Sequence, residues 1–371
     1  MNTPSFRRAA TVAVVAAASA GAAFVASAAV PAGTIVMSRS QQPAGEAFPT
    51  SRSLYLLDVA SGRTKALTTQ TSRVFDATAT WAPNGTAFVF QRGVTRARRE
   101  PQYTLELMTP TSTRPRALLR GLGDFAKPAW GPSNQIAYIS GVSGTQCVSV
   151  VDAAGRAPRT LFCAPATTDL ARPQWSPDGK RLFVAGLLPE GRLGESFHAL
   201  AFNIDATTGS TKLLSDIVMF EPLQLTFSPD GTRGVYADAV ANDMTLVDFR
   251  NGATTALPRG HAPVWSPNGK RIAYTGEVYE TGAEFRYYEP LCVMNADGTN
   301  LRRLTVSRVA NHAYTAAQWS KDNVHVLANR QTFTDDSLTR SNFALRIVNA
   351  DTRALVQLAA GYVEAGGWFE P

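Results

Sequence analysis

The sequence predicts an all-β chain folded as a β-propeller, a ring of four-stranded antiparallel blades. Three observations predict it. An aromatic residue followed by a tight turn recurs at Trp81, Trp130, Trp175, Phe227, Trp265 and Trp319, and a last aromatic stands at Trp368. The spacings are 49, 45, 52, 38, 54 and 49 residues, a period of about 48. Between the motifs lie short apolar runs bounded by Asn, Asp and Gly, with no amphipathic helical window. Four short strands per period fit a propeller blade. One blade cannot bury both its faces, so neighbours must stack around an axis. An open solenoid would repeat at a shorter period, and a sandwich would not repeat its turn chemistry.

The motif is clearest at 173–185, Pro-Gln-Trp-Ser-Pro-Asp-Gly-Lys-Arg-Leu-Phe-Val-Ala. Pro177 presets φ for a turn, Asp178 supplies a side-chain acceptor, and Gly179 supplies the positive φ. Residues 182–185 then read as an apolar strand. The same order holds after Trp81, Trp130 and Trp265, with strands at 86–90, 135–139 and 271–274. A third strand follows, ending in an Asn/Asp/Gly turn, as at 148–152, 201–205 and 291–298. A short fourth closes the unit, as at 211–214 and 302–305.

The repeats are numbered here by where they begin: Thr34, Trp81, Trp130, Trp175, Phe227, Trp265 and Trp319. The count is seven, with six or eight as the alternatives. Repeat 5 is the shortest, yet it holds strands at 234–237, 245–248 and 254–257. Repeat 1 has strands at 34–38, 54–58 and 65–68 but no aromatic strand before them. The missing strand is expected at 363–369, so the C-terminal strand should enter the first blade and close the ring without an open edge.

Residues 1–28 read as a signal peptide. Arg7 and Arg8 form a positive start, 9–26 is an Ala/Val-rich apolar run, and Ala26-Ser27-Ala28 is a small-residue cleavage site. The propeller domain is then 29–371, exported to the periplasm or secreted. No later run reaches the ~18 apolar residues needed to cross a membrane. The 371 residues are 44% hydrophobic and 18% charged, an ordinary globular balance. The net charge of +7 favours anionic partners in general. No Lys/Arg stripe interleaved with aromatics points to nucleic acid.

The stretches Trp265-Ser-Pro-Asn-Gly-Lys-Arg-Ile-Ala-Tyr274 and Leu291-Cys-Val-Met-Asn-Ala-Asp-Gly-Thr-Asn-Leu-Arg-Arg-Leu-Thr305 resemble the TolB-type propeller repeat. The resemblance covers essentially all of 29–371. It implies a propeller fold, and the family spans a periplasmic envelope component, propeller domains attached to serine peptidases, and stand-alone secreted propellers. TolB itself carries an α/β domain ahead of its propeller. This sequence runs from leader to first strand with no room for one, which implies a stand-alone exported propeller that binds a protein or envelope polymer as a monomer.

Candidate chemistry is sparse. The Pro-Asp/Asn-Gly turns each offer one oxygen side chain, far short of a calcium loop. Trp81, Trp130, Trp175, Phe227, Trp265, Trp319 and Trp368 read as wedge-filling structure. Gly141-Val142-Ser143-Gly144 departs from the Gly-x-Ser-x-Gly elbow and sits between strands. The non-catalytic reading therefore needs no cofactor. The alternative is a metal-assisted polysaccharide lyase or hydrolase, with His261 and His312, each preceding an inner strand, at the channel mouth and Gln318 nearby. His325 reads as packed in a strand. Cys147 and Cys163 flank a hairpin centred on Gly155 and read as a disulfide in an exported protein. Cys292 is left as a small buried residue.

Turns after the aromatic strand are short throughout. Long loops are expected on the opposite face, at 38–53, 92–102, 187–198, 277–290 and 330–342. One carries Arg92, Arg96, Arg98 and Arg99. Another carries Tyr279, Phe285, Tyr287 and Tyr288 among Glu277, Glu280, Glu284 and Glu289. Arginine and aromatic residues are the types that anchor interfaces, so Arg96, Arg98, Arg99, Tyr279, Phe285, Tyr287 and Tyr288 are the candidate binding residues.

Overall fold

The computed structural model describes residues 32–41, 51–69, 71, 73–96, 99–123, 125–142, 144–190, 196–219, 223–238, 243–280, 286–305, 312–333, 341–361 and 367–371. The leader assigned to 1–28 lies outside them. Among the described residues all regular structure is strand. The strands form six hydrogen-bonded sheets, built almost entirely of antiparallel neighbours.

The turn chemistry explains why each repeat folds back. In repeat 4 the Gly179 amide donates to the Ser176 carbonyl (2.9 Å), and the Ser176 hydroxyl donates to Asp178 (2.6 Å). Asp178 accepts from the Lys180 amide (3.0 Å), and Ser176 Oγ accepts from the Arg181 amide (3.0 Å). Gly179 has φ +68°. The same set recurs at Ser228–Asp230, Ser266–Asn268 and Ser320–Asp322. Asn134 and Asn323 take the positive φ where glycine is absent. The turn bonds hold the Asp178 carboxyl below its ordinary range, chiefly through the Ser176 hydroxyl.

Repeat 3 shows the basic unit: Ala129–Trp130, Gln135–Val142, Thr145–Asp152 and Arg159–Cys163, in that order across the sheet. Cys147 and Cys163 face each other on the last two strands and are joined by a disulfide. Repeat 5 has four strands despite its length, Leu223–Phe227, Arg233–Asp238, Met244–Asp248 and Thr254–Leu257. In repeat 4 both Asp169–Leu170 and Gln174–Trp175 pair with Arg181–Glu190. Repeats 1 and 2 share one sheet through a single parallel bridge, Arg52 to Phe75.

The segments expected as long loops differ. The second and third strands run on into them: Phe88–Arg96 pairs with Arg99–Met108, Arg181–Glu190 with Ser196–Asp205, and His325–Phe333 with Ser341–Asn349. Alternating side chains and continued cross-strand pairing carry the ladder past the point where the apolar core ends. In repeat 6, Val278–Glu280 and Arg286–Glu289 form an extra hairpin, and its second strand lies parallel to His312–Trp319 of repeat 7.

The core divides among the interfaces between repeats. One cluster joins Ile139 and Val150 of repeat 3 to Leu182 and Phe202 of repeat 4; another joins Phe183 and Ala201 of repeat 4 to Phe227 and Tyr236 of repeat 5. Corresponding clusters join repeats 1 and 2, 2 and 3, 5 and 6, and 6 and 7. One further cluster places Ile35, Met37, Leu57 and Trp368 against Leu327, Leu345 and Ile347, so repeat 7 packs on repeat 1. Trp368–Phe369 pairs antiparallel with Thr34–Gln41, Trp368 opposite Ile35. Residues 363–366 of the 363–369 expectation lie outside the described residues.

Polar contacts repeat across these interfaces. The Trp175 indole donates to Ala129 O (3.0 Å) and the Trp319 indole to Val264 O (2.9 Å), in each case the carbonyl just before the aromatic of the preceding repeat. Trp81 does the same to Gly367 O, just before Trp368 (3.1 Å). Gln174 donates to Phe227 O (3.2 Å), and Gln318 to Trp368 O (2.8 Å).

The turns of one repeat rest on the aromatics of its neighbour. A Cβ on Gly231 would stand 2.0 Å from the Phe183 ring, whereas one on Gly252 would meet nothing within 4 Å. Both glycines have positive φ, +68° and +73°. Gly252→Ala should therefore cost about 1–2 kcal/mol of backbone strain alone. Gly231→Ala should cost roughly 1–3 kcal/mol more, from overpacking against Phe183. Urea melts of the two variants check this, and equal losses would contradict it.

Candidate functional site

Antiparallel connectivity sends the aromatic turns to one end of every sheet and the second-to-third-strand hairpins to the other. At the hairpin end the wall height varies. The paired strands run eight to ten residues in repeats 1, 2, 3, 4 and 7, but five or six in repeats 5 and 6. Four further residues add roughly 13 Å at about 3.3 Å per residue.

The candidate residues on this end are distributed differently from the expectation. Arg92 is held in mid-strand by the fully buried Asp76, through Nε at 2.7 Å and a second nitrogen at 2.8 Å. Arg96 and Arg99 face each other in register at the hairpin tip; Arg98 lies outside the described residues. Tyr279 and Tyr287 face each other on the extra hairpin of repeat 6, and Phe285 lies outside the described residues. Tyr288 is built into the structure: its hydroxyl donates to Thr305 (3.0 Å), and burial pushes its pKa up to about 12.

His261 and His312 lie inside their inner strands, Gly260–Trp265 and His312–Trp319, instead of preceding them. His261 Nε2 is 3.3 Å from Glu289, and His312 Nε2 accepts from Arg330 (2.5 Å). Gln318 clamps the Trp368 backbone through both ends of its amide. Among the described residues no group of three or more His, Cys, Asp or Glu side chains is placed to hold a metal ion. His325 is buried between Asp322 and Asn349. Cys292 is also buried, and desolvation pushes its thiol up to about 11.

A cavity of about 330 Å³ opens at the same end, between repeats 3, 4 and 5. That is the low end of the ~300–1,000 Å³ typical of small-ligand pockets. Its polar lining includes Lys127, Asp169, Gln224 and Thr226; Gly186 and Leu187 form an apolar wall. Lys127 Nζ donates to Leu170 O (2.7 Å) and sits 3.5 Å from Asp169, which also accepts from Gln146 (3.1 Å). Lys127 has φ +41° although it precedes Pro128, a position that favours extended backbone. The buried Thr226 hydroxyl has no hydrogen-bond partner among the described residues. Sequence reading missed this cavity because its lining comes from three repeats and contains no local motif.

With this geometry in place, the solved structures give the fold class. The β-propeller domain of the trilobed protease from Pyrococcus furiosus matches with a TM-score of 0.53 and 12% identity, over 78% of this chain and 84% of that one. A prolyl endopeptidase matches with a TM-score of 0.59 and 14% identity over 89% of this chain, which spans half the length of that enzyme. TolB from Acinetobacter baumannii matches with a TM-score of 0.49 and 16% identity, over 91% of this chain and 82% of that one, a likeness too loose to carry an argument. This chain is a β-propeller. No protein-family model matches the sequence, and no curated protein does.

His198, on the extended hairpin of repeat 4, gives this end a titratable marker. Its Nδ1 is 2.7 Å from Asp216 and its Nε2 3.3 Å from Glu190. The Asp216 hydrogen bond, with both carboxylate charges, raises its pKa above the ordinary imidazole value against a smaller desolvation effect. A raised folded pKa stabilises the fold fully below the unfolded value, and that contribution is lost as pH rises through the folded value. An NMR titration should place His198 above a free imidazole, and Asp216→Asn should bring it down. A wild-type midpoint at or below the free value would contradict the pairing.

Proposed function

We propose that this chain is an exported, non-catalytic β-propeller of seven blades that binds a protein or envelope polymer on its hairpin face. The observation that carries the reading is the difference between the two ends of the sheets. The turn end is built from one short device repeated, with its polar groups satisfied within the turn. The hairpin end varies in wall height, holds the cavity, and carries Arg96, Arg99, Tyr279 and Tyr287 at or near hairpin tips. Variable loops on a regular scaffold are where binding usually resides.

Three further features support the finer reading. The Trp368 pairing, the repeat 7–repeat 1 cluster and the Trp81 contact to Gly367 fit a ring closed by the C-terminal strand. The Cys147–Cys163 disulfide fits an oxidising compartment, in keeping with the leader-like 1–28. The seven apolar clusters fit seven blades in a monomer.

The test is capture from the native envelope. Replacing Arg96, Arg98 and Arg99, or Tyr279 and Tyr287, with alanine should abolish capture while moving stability by only about 0.5 kcal/mol. The arginine-dependent part should weaken with salt, since exposed charges are screened over about 8 Å at physiological ionic strength. Alanine at Lys180 and Lys270, on the turn end, should leave capture intact. Capture that survives the hairpin variants and fails in the turn variants would place the function on the opposite face.

A further inference from the structure

We propose that Arg330 and Arg346, at the boundary of repeats 6 and 7, form a recessed site for a carboxylate or phosphate group. The strand register brings them together. Arg330 stands opposite Tyr314 on one side and Ala344 on the other, while Arg346 stands opposite Ala328. The two arginines are therefore diagonal neighbours on one face of the sheet, about 7–8 Å apart along the backbone. Tyr314, Ala328 and Val348 on that face pack against Leu291, Val293 and Leu304 of repeat 6. His312 opens its strand, so the arginines lie toward the hairpin end.

Their bonding is incomplete. Arg346 is 7% exposed, and its Nε has no hydrogen-bond partner among the described residues. Arg330 Nε is also buried without one. Arg330 donates through another nitrogen to His312 Nε2, and the Tyr314 side chain acts on Arg346. The His312 bond holds the Arg330 fork beside the imidazole. Burial above all, and the Arg330 charge beside it, push the Arg346 pKa below its ordinary value, and no carboxylate of the described residues acts on it.

Two neighbouring like charges, one buried and one half-buried, with no counter-charge among the described residues are unfavourable, and a buried cation is ordinarily paired. A multi-oxygen anion would relieve both the repulsion and the missing bonds, since planar guanidinium forks match carboxylate and phosphate geometry. Arg330, only part-buried, gives the approach side. The two sources this chemistry admits are a uronate sugar and a phosphate ester. The proposal deepens the binding role above by naming the ligand chemistry. Small-anion probes keep its failure separate from failure of the hairpin-face reading, which rests on partner capture.

The experiment is calorimetric titration of the full chain with inorganic phosphate and, separately, sodium glucuronate, at constant ionic strength with chloride as control. Saturable binding of either anion is expected, and the one that binds identifies the source. Arg346→Met and Arg330→Gln should each weaken binding roughly ten- to hundredfold, the loss of one charge-assisted hydrogen bond. Without anion, Arg346→Met should melt at or above wild type, because an uncompensated buried charge has been removed. The proposal is overturned by no saturable binding beyond chloride, by unchanged binding in both variants, or by an Arg346→Met protein that melts well below wild type in anion-free buffer.

Discussion

The contact on which the rest depends is the indole N–H of one repeat donating to the carbonyl just before the aromatic of the preceding repeat. Trp175 and Trp319 make it within the chain, and Trp81 makes it to Gly367 across the two termini. A large apolar ring fills the wedge between sheets, and its one polar atom sets the register of the neighbour. Such a bond contributes only about 1 kcal/mol net. Its importance lies in fixing the position of the ring, whose burial stabilises the interface more than the bond does. Trp130 donates within its own repeat, to Asn134, and the Trp265 and Trp368 indoles have no partner among the described residues, so the device is frequent without being universal.

Around that contact the turn end is tied together a second time. Arg233 lies over Trp265, Arg271 over Trp319 and Lys321 over Phe369, each cation beside the ring of the next repeat along. The Lys321 contact belongs to the same pattern, with Phe369 as the ring of repeat 1. Lys321 also bonds the Glu370 backbone and side chain. The end without variable length is thus the end that holds neighbours in place, which leaves the hairpin end free to vary.

Sequence reading recovered what is encoded locally. Ser-Pro-Asp-Gly is a complete turn in itself, so the repeat, its period and the pairing of residues near Trp368 with the first strand were legible. Cys147 and Cys163 were legible because a hairpin places equidistant residues opposite each other. The hairpin extensions were not. Residues such as Arg92, Gln102 and Gln331 look like loop composition, yet they pair as strand because the ladder continues where its two faces are only partly covered. Arg92 looked like one member of a loop arginine cluster because its partner Asp76 lies sixteen residues away on another strand. The cavity at Lys127 and the Arg330–Arg346 pair were illegible for the same reason: each is assembled across strands or repeats. At identities of 12–16%, the matched structures speak to fold, so the functional reading rests on this chain's own residues.

The central claim is that the C-terminal strand completes the first blade and holds the proposed ring shut. Removing residues 367–371 deletes the pairing of Trp368 and Phe369 with Thr34 and Ile35, the carbonyl that Trp81 uses, and the apolar contact to Leu327 and Ile347. Calorimetric melting of this truncated chain, beside Trp368→Ala, is the most direct measurement. The account predicts a loss of roughly 3–5 kcal/mol for Trp368→Ala alone, the cost of emptying a core aromatic site, and a larger loss for the truncation. A truncated chain that melts where the full chain does would contradict it.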